Sequence, residues 1–534
     1  MDRKFESFLD LVIYQIYPRS FKDSNHDGIG DIPGVIEKLD YLCDLGINAI
    51  WMCPCYKSPN YDNGYDIADY RDIMDEFGTL EDIRNLISEM HKRGMKLIMD
   101  LVPNHTSHEH EWFRKSRKSR DNAYSDYYYW YDEPANDWQS AFGGSAWEYD
   151  EKRKQYYLHS YAVQQPDLNW ENPKVVKEMQ DVVDYWVDLG VDGFRIDVID
   201  QISKDFEGNR NCFGPHLHEY IHALFGRENT KHIFTVGECW TGRIEEIRRH
   251  IAADREELST LFQFDHMQRG RTDKYTPKPE GLKPVRDILV KWQMLTQEYD
   301  LLYSLFTDNH DQSLLISRVG NDKELRYESA TCLAAMFYLL RGVPFIFQGQ
   351  EFGITASQYD DISCFDDIES INAYEEFLAE GLTKEAAIAK INFGSRDNAR
   401  RPVAWDGSQY GGFSKAEPWI AVSSRAEEIN LAKDIQSEKS VFRFYQELLK
   451  LRREHAAFRQ GGFAVVSGPE DEYFVYTREL GEEKFTVICN FEQDAVISME
   501  DMAGEKVLSN YETGHEAGEC RFRPYEIIVF RNRG

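Results

Sequence analysis

The sequence predicts a (β/α)8 barrel of the TIM type, with a subdomain inserted after the third strand and an antiparallel β-domain at the C-terminus. Three observations carry this reading. A helical stretch ending at glycine and followed by a short apolar strand recurs along the chain, eight such strands can be counted, and the pattern changes to period-two alternation after Phe458.

The first unit has Ile36, Leu39, Leu42 and Leu45 at helical spacing, Gly46 placed for a left-handed cap, and Ala49 to Met52 as a buried strand. In the second, Leu86, Ile87 and Met90 precede Gly94 and KLIMDLV. In the third, Val175 to Trp186 precede Gly190 and GFRIDV, and a fourth ends at Gly342 before VPFIFQGQE. Strands buried on both faces and alternating with amphipathic helices mean parallel βαβ units, which fit either an open doubly wound sheet or a closed barrel. VIYQIY, NAIWM, KLIMDLV, GFRIDV, FTVGEC, LFQFDH, YSLFTDNHD and PFIFQGQE make eight, the number of the closed barrel.

The barrel is expected over 1–105 and 173–460. Residues 106–172 are too long for a bare loop and are read as an inserted subdomain, whose many aromatics mostly form its own small core. The acidic helical stretch 366–390 reads as a second, smaller insertion. FAVVSG, EYFVYTREL, KFTVICNF and YEIIVFRN place a β-sandwich domain over 461–534.

Composition narrows the partners. A formal net charge of -31 repels nucleic acid and anionic membrane surfaces, and there is no apolar run long enough to span a bilayer. The N-terminal stretch mixes acids into its apolar residues and has no small-residue cleavage site, and the nine cysteines are scattered without metal spacing. The expectation is a cytoplasmic monomer with reduced thiols and a neutral or cationic ligand.

In a parallel barrel the chemistry sits where strands end. Four strand ends carry polar groups: Asp100 with Asn104 and His105, Arg195 with Asp197, Glu238, and Asn309 to Asp311. A lone carboxylate there is ordinarily a helix cap, but several converging can divide into one ionised and one protonated, as glycosidic bond cleavage requires. Arg195, on the same strand face as Asp197, is expected to keep that residue anionic. Glu238, in the apolar setting TVGECW, is expected to hold a proton more readily.

DLVPNH (100–105), QPDLN (165–169), GFRID (193–197), GE (237–238) and NHD (309–311) together resemble glycoside hydrolase family 13, the α-amylase family, of the oligo-1,6-glucosidase type. The resemblance spans essentially the whole chain. It implies Asp197 as nucleophile, Glu238 as general acid/base and Asp311 as a catalytic carboxylate gripping sugar hydroxyls. It further implies His105, His310 and Arg195 at the substrate, Asp62 and Tyr65 of DNGY closing the pocket, and Arg400 rather than Arg396 pairing with Asp62 to make the enzyme exo-acting. Val198 accompanies α-1,6 preference in similar enzymes, where threonine or alanine accompanies α-1,4.

Asp23, Asn25, Asp27, Ile29 and Asp31 alternate oxygen ligands around Gly28, as in a calcium loop, although Gly34 replaces the glutamate an EF-hand has at position twelve. The segment resembles the family's metal loop, with Ile29 giving its carbonyl, so structural Ca²⁺, or Mg²⁺ in its place, is expected. Departures from the family pattern cluster on the leaving-group side: Ser313-Leu314 after NHDQ, Cys239-Trp240 after the acid/base, and ARRPVAWD at 399–406. The functional expectation is hydrolysis of terminal α-linked glucose from isomaltose-like oligosaccharides. The alternatives are α-1,4 preference, a sucrose- or isomaltulose-hydrolysing or isomerising relative, and a catalytically dead barrel like transporter heavy chains, which the full carboxylate set opposes.

Overall fold

The computed structural model describes residues 6–498, 504–512 and 519–532. The chain divides into two compact units, one of residues 31–36 and 50–262, the other of residues 1–30, 37–49 and 263–534.

All eight expected strands are present: β1 (Ile13–Ile16), β2 (Ala49–Met52), β3 (Lys96–Leu101), β4 (Gly193–Ile196), β5 (Phe234–Glu238), β6 (Thr260–Phe262), β7 (Ser304–Leu305) and β8 (Val343–Phe347). They form one eight-stranded sheet in the order β6-β5-β4-β3-β2-β1-β8-β7, the parallel sheet of a (β/α)8 barrel. Every residue of β1, β2, β4, β5, β6, β7 and β8 is buried, which explains why these strands read as continuous apolar runs rather than alternating ones.

Within the unit of residues 31–36 and 50–262, register does the positioning. Asp100 of β3 pairs with Arg195 of β4, and Gly237 of β5 pairs with Ile196. A Cβ on Gly237 would lie 2.7 Å from Leu258 Cδ1 and 2.8 Å from Leu261 Cδ2, so a side chain there would have to displace those two leucines beside Glu238. The helix Leu80–Lys92 starts with a capping box between Thr79 and Asp82 and buries Ile83, Leu86, Ile87 and Met90. The helix Pro173–Leu189 is capped by Asn172, buries Val175, Met179, Val182, Val183 and Trp186, and stops at left-handed Gly190. Between β3 and β4 the chain makes a short helix, Glu111–Ser116, and a three-stranded sheet of Trp130–Tyr131, Gln155–Leu158 and Trp147–Asp150. Tyr129, Trp138, Ala146, Trp147 and Leu158 form a core there, the role expected for most of its aromatics.

In the other unit, β1 pairs with β8 and β8 with β7, all parallel. Helices Ile368–Ala379 and Lys384–Gly394 pack around Ala373, Tyr374, Ala387, Ile388 and Ile391, so the small insertion runs four residues past its expected end at 390. Beyond Gly461 lie a five-stranded antiparallel sheet and a two-stranded one, Ala495–Ser498 with Glu519–Phe522. Ile497 and Phe522 of the smaller sheet share a core with Val475, Ile488, Ile528 and Phe530 of the larger. Among the described residues no helix is long and apolar enough to cross a membrane.

Candidate active site

One guanidinium organises the carboxylates at the ends of β3, β4 and β5. Arg195 Nη1 donates to Asp197 Oδ1 at 2.8 Å and to Asp100 Oδ1 at 3.0 Å, while Nη2 pairs with Glu238 Oε2. Alternation puts Arg195 and Asp197 on one face of the chain, and register puts Asp100 beside them. All four residues are buried, Arg195 at 2 %, Asp100 at 1 %, Asp197 at 7 % and Glu238 at 8 % exposure. Two acidic side chains held by the two ends of one planar fork stand close enough to attack and protonate the same bond.

The charge balance here corrects one expectation. Burial raises the proton affinity of Asp197 well above the ordinary aspartate value, Arg195 opposes that rise, and the negative charges of Glu238 and Asp100 reinforce it. Arg195 acts in the expected direction but is shared among three carboxylates, so it does not dominate. Nor is the setting of Glu238 the apolar one its sequence neighbours suggest, because the indole Nε1 of Trp240 donates to its Oε1 at 3.2 Å and Arg195 takes its Oε2.

Val198 follows Asp197 with φ 34° and ψ 49°, a left-handed conformation that a β-branched residue rarely adopts. Such strain costs on the order of 1–3 kcal/mol and persists where surrounding structure enforces it. It turns the backbone sharply out of β4 into the 3-10 turn Ile199–Gln201 and aims the Val198 N–H at Glu238 Oε2, 3.5 Å away.

Beside this cluster, Asp100 also accepts from Tyr65 Oη at 3.0 Å and from Trp51 Nε1 at 3.2 Å. Gln165 Nε2 lies 3.1 Å from Asp62 Oδ2 and 3.2 Å from His105 Nε2, joining two expected substrate residues through one amide. Burial lowers the His105 imidazole to about 4, which makes it a neutral hydrogen-bonding group near pH 7. Lys204 fixes the loop behind it, ion-paired with Asp167 at 2.6 Å and bonded to Asn104 Oδ1 at 2.8 Å.

In the other unit, Asp311 is set among basic side chains. His310 Nε2 lies 2.9 Å from its Oδ2, Arg400 Nη2 2.7 Å from Oδ1 and Arg396 Nη1 3.4 Å from Oδ1. Burial would raise this carboxyl, but His310, Arg400 and Arg396 hold it well below the usual range. Arg396 also grips the fully buried Asp367 at 2.6 Å. The expectation gave Arg400 the carboxylate of Asp62, whereas its ion pair is with Asp311 and its Nε donates to the His310 carbonyl at 2.9 Å. Gln15 Nε2 lies 2.8 Å from His310 Nδ1, and the Tyr17 ring stacks on that imidazole.

In the loop after β1, Asp23 is fully buried and accepts from the backbone N–H of His26 at 2.6 Å and of Gly28 at 2.8 Å. Asn25 accepts from Asp27 N–H and Asp27 from Ile29 N–H, both at 2.9 Å. Asp31 caps the next helix through Gly34 N–H at 2.6 Å. Gly28 has φ +93°, and a Cβ there would meet the Glu417 carbonyl oxygen at 2.1 Å, so the loop demands glycine at its sixth position. Among the described residues no three His, Cys, Asp or Glu side chains converge as a metal site.

Comparison with known proteins agrees with this architecture. Residues 15–461 match the alpha amylase catalytic domain. The chain belongs to the α-amylase family of glycoside hydrolases. It is 44% identical to the oligo-1,6-glucosidase of Parageobacillus thermoglucosidasius, over 98% of each chain. Its structure superposes on the trehalose-6-phosphate hydrolase of Bacillus licheniformis with TM-score 0.93 and 36% identity, over 99% of this chain and 100% of that one. It also superposes on the trehalulose synthase of Pseudomonas mesoacidophila with TM-score 0.92 and 38% identity, over 98% and 99%.

Three groups in these family clusters had no role assigned from sequence. Asp100 was visible as a strand-end carboxylate, but not as a partner of Arg195. Gln165 stood inside QPDLN without an obvious chemical signal. Asp367 opens a helix, and nothing local marks a helix-capping aspartate as the anchor of an arginine 29 residues onward.

Proposed function

We propose that this enzyme is a retaining, exo-acting α-glucosidase that releases terminal α-linked glucose from short oligosaccharides, with α-1,6 links preferred. The observation that carries the reading is the single Arg195 fork holding Asp197 and Glu238 together. Asp197 attacks the anomeric carbon as Glu238 gives its proton to the leaving oxygen, and Glu238 then takes a proton from the water that releases glucose with net retention. Tyr65, His105 and Asp62 bind the terminal glucose; on the family resemblance, His310 and Asp311 of the other unit, the latter held anionic by Arg400 and Arg396, are the groups assigned to its hydroxyls. A panel of isomaltose, panose, maltose, sucrose and trehalose 6-phosphate compared by kcat/KM, with NMR of the released anomer, tests this. α-Glucose must appear first and isomaltose must rank highest.

A second reading, isomerisation of sucrose, draws on the likeness to the trehalulose synthase. Isomaltulose or trehalulose among the products from sucrose would select it over hydrolysis.

The loop at 23–31 is proposed as a structural Ca²⁺ site, with Mg²⁺ as the alternative, formed by Asp23, Asn25, Asp27, Asp31 and the Ile29 carbonyl. Each side-chain oxygen that accepts a backbone N–H keeps a second lone pair for a cation. Chelation should lower the melting temperature, and Ca²⁺ should restore it. Location in the cytoplasm and a monomeric state complete the proposal; size-exclusion chromatography with light scattering tests the latter.

A further inference from the structure

Within the unit that holds Arg195, one stretch gathers positive charge that the glycosidase reading does not use. Five of the seven residues from Arg114 to Arg120 are lysine or arginine, in a chain of formal net charge -31. The short helix Glu111–Ser116 and the turn after it bring Arg114, Lys115, Arg117 and Lys118 to the lining of an open cleft of about 1050 Å³, where Lys57 and Lys152 join them. Three of these cations are already neutralised, Lys57 by Asp72 at 3.4 Å and Asp75 at 3.3 Å, Lys115 by Glu111 at 2.7 Å, and Arg117 by Asp150. The other three, Arg114, Lys118 and Lys152, are exposed and have no side-chain partner among the described residues. Six lysine and arginine side chains thus line the cleft against three carboxylates, Asp69, Glu109 and Glu111. Unpaired cations collected in a concavity of an otherwise acidic protein make a local positive potential whose natural occupant is an anion.

Size and charge select the anion. A long polyanion such as a nucleic acid would run out of the cleft onto a surface whose net charge repels it, whereas a compact anion stays within the screening length of about 8 Å around the unpaired cations. The cleft has the volume of a small-molecule site, and guanidinium and ammonium groups are the usual partners of phosphoryl oxygens. We infer that this cleft binds a compact phosphate anion of two or more charges, and that its occupancy is felt at the glucose-binding residues. Two short routes of hydrogen bonds make the connection. Ser58, in the lining, donates from Oγ to Asp66 Oδ1 at 3.0 Å, and the same oxygen accepts the Asp62 N–H at 3.0 Å. His108, also in the lining, donates its backbone N–H to the Gln164 carbonyl at 2.8 Å, and the next residue, Gln165, holds Asp62 through its amide. The binding site goes beyond the glycosidase reading, while its coupling to Asp62 rests on that reading.

Isothermal titration calorimetry of the full chain with pyrophosphate, ATP and glucose 1,6-bisphosphate tests the site. Pyrophosphate should bind wild type saturably and more weakly as salt rises, and Arg114→Ala and Lys118→Ala should each weaken it about fivefold, the order for one exposed charge contact. Chelation of any metal in the loop at 23–31 is common to all three proteins and cancels in this comparison. Tighter binding of ATP or of the bisphosphate, with the same response to the substitutions, assigns the site to an organic phosphate; tighter binding of pyrophosphate assigns it to an inorganic one. In steady-state assays pyrophosphate should shift the KM for isomaltose about fivefold in wild type, the low end for coupled sites, and leave it unmoved in the double variant Arg114→Ala, Lys118→Ala. No saturable binding, binding that both substitutions leave unchanged, or a duplex oligonucleotide that binds more tightly than all three probes would overturn the inference. Substitution-sensitive binding with an unmoved KM would overturn the coupling alone. A chain that binds pyrophosphate in this way but does not turn over isomaltose would remove the glycosidase reading and the coupling, and leave the anion site standing.

Discussion

Two carboxylate clusters of this molecule use the same residue types to opposite ends. Around Arg195 three acids, Asp100, Asp197 and Glu238, share one cation, and burial with like charge drives Asp197 upward. Around Asp311 the ratio is reversed, with Arg396, Arg400 and His310 on one carboxylate and Arg396 also on Asp367, so both acids are held low despite burial. The carboxylate proposed to form and break a bond is left with less positive charge than its neighbourhood of acids needs. One whose task is to stay anionic and accept hydrogen bonds is surrounded with more than it needs. Burial alone would treat the two alike, so the count of partners decides.

The contrast can be broken at several points. Asp197→Asn should cost on the order of 10⁴-fold or more in kcat on isomaltose with an unaltered thermal melt, because it removes the nucleophile and keeps the shape. A loss below a hundredfold would end its assignment, on the scale of an ancillary contact.

Asp367→Asn acts on the other cluster and should appear as stability. Arg396 would be left buried without its 2.6 Å partner, which costs about 3 kcal/mol in unfolding free energy by denaturant titration. An unchanged midpoint would mean that the partners left to Arg396, Asp311 and Glu369 among them, satisfy it.

pH separates the clusters without mutation. The raised carboxyl of Asp197 puts the acid limb of kcat/KM above the ordinary aspartate range of about 4, with activity falling as pH drops through it. For stability the signs differ. Asp311 and Asp367 are depressed, so what they contribute is present above about 4 and lost as pH falls below it. Asp66, raised by burial to about 6, and Asp200, raised by burial to about 7, contribute below the ordinary carboxylate range and lose that contribution as pH rises through those values. The stability of wild type relative to Asp200→Asn, read from urea midpoints, should therefore decline from about pH 5 to pH 8. A relative stability that rises over that range would contradict the assignment to Asp200.

The smallest effect is at Val198. Val198→Thr should shift the isomaltose-to-maltose ratio of kcat/KM toward maltose by about tenfold, within the 1–3 kcal/mol that one methyl-sized change in a pocket is worth. No shift in the ratio would assign linkage choice elsewhere, with the Trp240 loop as the first place to look.

Much of this was legible in the residues. The helix, glycine, strand grammar of four units and the count of short apolar runs together located all eight barrel strands, including the weak LFQFDH, where the strand Thr260–Phe262 stops before the polar residues. The strand-end rule singled out Asp100, Arg195, Asp197, Glu238 and Asp311. The pairing of Arg400 was less legible, since SRDNAR offers two arginines and spacing does not say which acid each meets. Asp367 was invisible for the same reason, being distant in sequence from its partner.

What the sequence determined by itself is the periodicity of burial and the chemical type at each strand end, because both are local properties of consecutive side chains. What only the tertiary structure decided is how charge is shared: that one guanidinium serves three acids while two guanidiniums attend Asp311. That follows from strand register and helix placement, and Coulomb interaction and desolvation depend on distances in space that no spacing along the chain encodes.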